Sequence, residues 1–139
     1  MCYAIYIASD TPCQPSSWDE SNPGFYLKSL DKREKVVTMH FTKPYVYYAG
    51  SHEGCGCGFF TDPEYHDEGD DLEQSRRSIS SLVDFLNDLL KSDTEVEMFV
   101  CWEGDQKKKP ERKLRMRPED LKSQPLPLQE LDWVTITNT

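Results

Sequence analysis

The hydrophobic pattern opens with a nearly unbroken apolar run at residues 3–8, rich in Ile and Tyr. A run without alternation predicts a central strand covered on both faces. Residues 10–24 carry Pro12, Pro15 and Pro23 among Ser and Asn and predict an unusually long loop. A short strand is expected at 25–30, followed by charged turn material at 31–35. The β-branched and aromatic stretch 36–41 predicts another strand, and after the break at Pro44 so does 45–49.

Farther along, the period changes. Leu72, Ile79, Leu82, Val83, Leu86, Leu89 and Leu90 form one stripe at helical spacing, which predicts a helix over 72–90. Asp70 followed by Glu73 resembles a capping box, and the acids upstream suit the positive end of the helix dipole. Residues 94–102 alternate, with Val96, Met98, Val100 and Trp102 on one face and Glu95, Glu97, Phe99 and Cys101 on the other. Residues 112–117 alternate again, Leu114 and Met116 inward, Lys113, Arg115 and Arg117 outward. The two runs are expected to pair as a long-looped hairpin. A single helical turn at 118–121, a Pro-rich extended stretch at 124–128 and a last strand at 133–137 complete the chain.

Strands that do not alternate with helices indicate an α+β fold. The expectation is a single, mainly antiparallel sheet of about six strands with one long helix packed on one face. The 139 residues suit one domain spanning 1–139. A chain of that length buries about two thirds of its unfolded surface, so folding by itself requires no disulfide or metal.

Composition narrows the function. Sixteen Lys and Arg stand against 25 Asp and Glu, a net charge of −9. That balance argues against bulk binding to nucleic acid or anionic lipid. The hydrophobic fraction of 37% is low for a globular chain, and aromatic residues make up part of the shortfall. No stretch approaches the roughly 18 apolar residues of a membrane span, and the N-terminus lacks the basic region of a signal peptide. A cytoplasmic location is expected. The cysteines number five, so within one chain they cannot all pair. In a reducing compartment they read as thiols, metal ligands or packing residues.

The densest chemistry lies in Gly50-Ser51-His52-Glu53-Gly54-Cys55-Gly56-Cys57-Gly58-Phe59, which holds four of the seven glycines. Glycine permits positive φ and close backbone approach, which two thiols and a histidine need if they are to converge. Three chemistries fit. In a metal site, zinc takes thiolate and imidazole ligands from Cys55, Cys57 and His52, with Cys2, Cys13, His66 or a water as the fourth. In thiol chemistry, His52 activates one cysteine as nucleophile and the other resolves it. In anion binding, successive backbone N–H groups form a nest. The bland alternative is a tight turn in which small cysteines pack. Neither a P-loop nor a dinucleotide fingerprint is present.

Other candidates carry weaker signals. Cys2 directly after Met1 matches the arrangement of N-terminal nucleophile amidotransferases, but Tyr3 stands where that family has glycine, so Cys2 is expected as a strand residue. His40 is expected as a packed strand histidine. The acidic run 62–71 around His66 lacks the calcium-loop register and reads as a solvated loop. The basic hairpin 107–117 is the basis of the alternative function, a non-enzymatic module binding protein or nucleic acid. No interleaved aromatics offer a base-stacking surface there.

The opening Met1-Cys2 with Ile5-Tyr6-Ile7-Ala8-Ser9-Asp10, together with Tyr47-Tyr48-Ala49 leading into the glycine-cysteine box, resembles a group of small uncharacterised bacterial proteins. The resemblance covers mainly the first 60 residues. It implies a bacterial cytoplasmic origin and brings no activity with it. The leading expectation is a thiol site built on Cys55 and Cys57, with His52 as base or co-ligand and Cys2 joining if the first strand lies beside the strand that carries the box. Zinc is the candidate ion.

Overall fold

A computed structural model describes residues 2–64 and 69–139. The strands are β1 (Tyr3–Ser9), β2 (Tyr26–Ser29), β3 (Tyr45–Gly50), β4 (Glu95–Trp102), β5 (Arg112–Met116) and β6 (Asp132–Thr137), and the helix α1 is Gly69–Leu89. They form a six-stranded sheet in the order β2-β3-β1-β4-β6-β5. Every pairing is antiparallel except β5 with β6. The α+β class and the mainly antiparallel sheet are as the sequence pattern predicts.

β1 takes a central place because its middle is apolar on both faces: Ala4 to Ala8 are all fully buried. Ile5 and Ile7 face α1 with Val96, Met98, Val100, Val134 and Ile136, against Ile79, Leu82, Val83 and Leu86 of the helix. Each such side chain contributes roughly 1.5–3 kcal/mol through burial. Ala4 and Tyr6 face the other way, with Tyr48, Phe99, Cys101 and Val37. Among the described residues no helix is long and apolar enough to cross a membrane.

Three expectations are corrected. Residues 36–41 are not a strand; Glu34–His40 is a 3-10 helix. Asp31 Oδ1 accepts the backbone N–H groups of Arg33 and Glu34, both at 2.9 Å, and starts the turn. The buried positions, Glu34 and Val37, are three apart, the period of a 3-10 helix. Glu34 is drawn inward by Tyr6, whose hydroxyl donates to it at 2.7 Å.

Nor do the strands at 94–102 and 112–117 form a hairpin. β6 lies between β4 and β5, and β5 runs parallel to it. β6 buries Asp132, Val134, Ile136 and Thr137, whereas β5 leaves Arg112, Lys113 and Arg115 exposed. The more apolar strand takes the inner place and the charged one the edge. Finally, Asp70 lies inside α1 rather than capping it. It forms the first turn with Asp71, where both carboxylates still favour the helix dipole. Glu73 instead pairs with Arg76 and Arg77.

Candidate functional site

The site begins where β3 ends. Ile5 lies opposite Ala49, so the start of β1 meets the end of β3. At Gly50 the Tyr26 ring occupies the space a Cβ would need. The Tyr26 hydroxyl then donates to the Gly54 carbonyl at 2.5 Å. Trp18, from the long loop, donates its indole N–H to the His52 carbonyl at 3.1 Å. These two aromatic residues brace the turn from outside.

Ser51 organises it from within. This fully buried hydroxyl donates to the Cys55 carbonyl at 2.6 Å and accepts from the N–H of Gly58 at 3.0 Å. The Ser51 N–H also donates to the Cys55 carbonyl, at 2.8 Å. Gly54, at φ +81°, reverses the chain between them. Cys55 is extended, and Gly56–Phe60 winds into a 3-10 helix against β1. A Cβ at Gly56 would sit 2.7 Å from the Tyr3 carbonyl oxygen, so only glycine admits this approach.

The consequence is a meeting of sulfurs. The Tyr3 N–H donates to Cys57 Sγ at 3.3 Å. The Cys57 N–H donates to Cys55 Sγ at 3.5 Å. Cys2, one residue before Tyr3, brings its thiol to the same point. The sulfurs of Cys2, Cys55 and Cys57 all lie within 4.8 Å of one another, close enough to hold a metal ion. A tetrahedral zinc–thiolate centre, with bonds of about 2.3 Å, sets sulfurs about 3.8 Å apart, which small side-chain rotations can reach. All three cysteines are partly exposed.

Burial pushes the Cys55 thiol up to about 12, aided by Cys57 and Cys2 and opposed by the Cys57 N–H. Burial likewise raises Cys57, with the Tyr3 N–H acting against it. Among the described residues, the main influences on both thiols are burial, the neighbouring cysteines and backbone N–H groups rather than a lysine or arginine. At neutral pH Cys55 and Cys57 are thiols until a cation displaces their protons.

His52 stands outside this group. Its ring turns toward α1, Nδ1 lying 3.1 Å from Ser78 Oγ, and its backbone N–H donates to the same oxygen at 3.1 Å. Burial holds its pKa below the ordinary 6.5, with Glu53 and Asp71 pulling the other way. Its Nε2 and Ser75 Oγ are buried without a hydrogen-bond partner among the described residues. Ser78 is almost fully buried, so the Ser–His contact offers no nucleophile to a substrate.

The remaining candidates are dispersed. Cys13 sits at the opposite end of β1, its sulfur 3.8 Å from Ser9 Oγ. Cys101 is buried on the sheet face away from α1. His40 packs its ring on Phe99 and lies in the 3-10 helix rather than a strand. His66 falls outside the described residues, as do Asp67 and Glu68 of the acidic run around it. Much of the basic stretch 107–117 has partners of its own. Arg112 grips the buried Asp132 through two bonds of 2.8 Å. Arg115 reaches Glu95, Lys108 reaches Asp105, and Lys113 lies over the Trp133 ring.

Sequence reasoning found the three cysteines and missed Ser51, Tyr3, Trp18 and Ser78. Ser51 carried one signal, a small hydroxyl directly after a strand-ending glycine. The others act across long separations that spacing does not reveal. No protein-family model matches the chain, and no curated protein or solved structure matches it.

Proposed function

We propose that this protein holds a single thiophilic metal ion, zinc, through the thiolates of Cys2, Cys55 and Cys57. One observation carries the reading: sulfurs from two segments more than fifty residues apart in the chain converge within 4.8 Å. Packing alone does not require three thiols at one point, and soft thiolates select zinc or copper(I). The close spacing favours one ion over a multinuclear iron–sulfur cluster, whose cysteines bond different irons and stand farther apart.

The metal reading is better supported than a catalytic nucleophile. A reactive cysteine needs a base or cation to lower its pKa. Here His52 faces Ser78, and burial raises Cys55 and Cys57. All five cysteines are free, which suits a reducing cytoplasm. The test is elemental analysis of anaerobically purified protein with a count of alkylatable thiols. The expected result is about one zinc per chain, with Cys2, Cys55 and Cys57 protected until a chelator is added. Metal-free protein whose three thiols react like Cys13 would overturn the reading.

A further inference from the structure

The three sulfurs supply three corners of a tetrahedron. Among the described residues no His, Cys, Asp or Glu brings a fourth donor atom within 4.8 Å of all three. Structural zinc sites close with four protein ligands, whereas sites with three keep a position for an outside molecule. The cysteines are also partly exposed rather than sealed in the core. We propose, resting on the zinc reading above, that the fourth position is open and takes an exogenous thiol as its thiolate.

Two features select a thiol over a hard anion. Three thiolates on a divalent ion leave a net charge of about −1, and the chain itself carries −9. Phosphate and carboxylate are repelled, while a neutral thiol approaches without penalty. The second feature is an aromatic stack built on Tyr3, the residue next to Cys2. Tyr3, whose N–H holds Cys57 Sγ, stacks between Phe60 and Trp102, each ring centroid 4.1 Å from its own. All three residues are partly exposed. Aromatic rings make favourable contacts with a weakly hydrated, polarisable sulfur ligand, which a hard anion does not offer. On binding, the thiol gives its proton to the buffer, a metal–sulfur bond forms and a metal-bound water leaves. No electron is transferred.

The test uses the full chain loaded anaerobically with cobalt(II) and titrated with mercaptoethanol, with inorganic phosphate as comparison. The thiolate-to-cobalt absorption should rise by about one third, from three metal–sulfur bonds to four, and saturate at one thiol per metal. Phosphate should leave the spectrum unchanged, and metal should stay at one per chain throughout. A spectrum silent to mercaptoethanol, or cobalt stripped by it, overturns the proposal. A response that appears only in His66→Ala places that histidine in the fourth position and likewise overturns it. Cobalt that never binds defeats the metal reading and this inference together; cobalt that binds without responding to thiol defeats this inference alone.

Discussion

The backbone N–H of Tyr3 points at the sulfur of Cys57, 3.3 Å away. This bond ties the first residue of the central strand to the glycine-cysteine turn after β3. It also fixes where Cys2 must be, one residue upstream. The turn and the strand therefore form one unit, and a change at their contact should weaken the proposed zinc binding.

Gly56 tests that contact without touching a ligand. A Cβ there would meet the Tyr3 carbonyl oxygen at 2.7 Å, and that oxygen belongs to the backbone. Gly56→Ala should weaken zinc binding roughly tenfold or more, the scale seen when groups supporting metal ligands are lost. Gly24→Ala is the control, since nothing lies within 4 Å of its added Cβ. Competition with a chromogenic chelator measures both; equal affinities would contradict the account.

Ser51→Ala removes the hydroxyl that joins Cys55 to Gly58. The buried N–H of Gly58 is left without its acceptor, at a cost of about 1–3 kcal/mol. Urea denaturation should show the loss at unchanged m-value. Ser51→Thr, which keeps the hydroxyl, separates the lost bond from mere truncation by retaining more of the metal affinity.

Zinc binding should release protons. Burial raises both Cys55 and Cys57, so at pH 7 each gives up a proton when it becomes a ligand. Affinity should climb with pH, with a slope of at least about two in log units per pH unit near neutrality. Calorimetry in buffers of different protonation enthalpy counts the protons directly. A pH-independent affinity would rule out thiolate ligation by this pair.

His52 gives a second pH dependence, of folding rather than binding. Its folded pKa is lowered from 6.5 by burial, so the native ring stays neutral where the unfolded one takes up a proton. Its contribution is whole above about pH 6.5 and is lost as pH falls through the folded pKa. His52→Gln, which cannot charge, should lose less stability between pH 7 and pH 5 than the wild type. Urea midpoints at the two pH values make the comparison, and parallel losses would show that the ring does not titrate on unfolding.

Much of this architecture was legible because burial leaves a pattern. The unbroken run of β1 and the leucine stripe of α1 announce their own environments. Placing Cys2 near the turn followed from a central first strand lying beside the strand that carries the box. The 3-10 helix at Glu34–His40 was hidden because Val36, Val37 and Thr38 favour strands only when packed on a sheet surface. Here Asp31 and the buried Glu34 impose a period of three. The insertion of β6 was hidden because a strand from the far end of the chain displaces the neighbour that adjacency suggests. His52 misled for a local reason: the reversal at Gly54 sends the histidine toward α1 and the cysteines toward β1.

The central claim joins Cys2 to residues more than fifty positions away, so the most direct measurement is zinc stoichiometry in Cys2→Ser beside wild type and Cys13→Ser. The account predicts about one zinc per chain in wild type and Cys13→Ser, and loss of most bound zinc in Cys2→Ser with the fold retained. Full zinc content in Cys2→Ser, or none in the wild type, would contradict it.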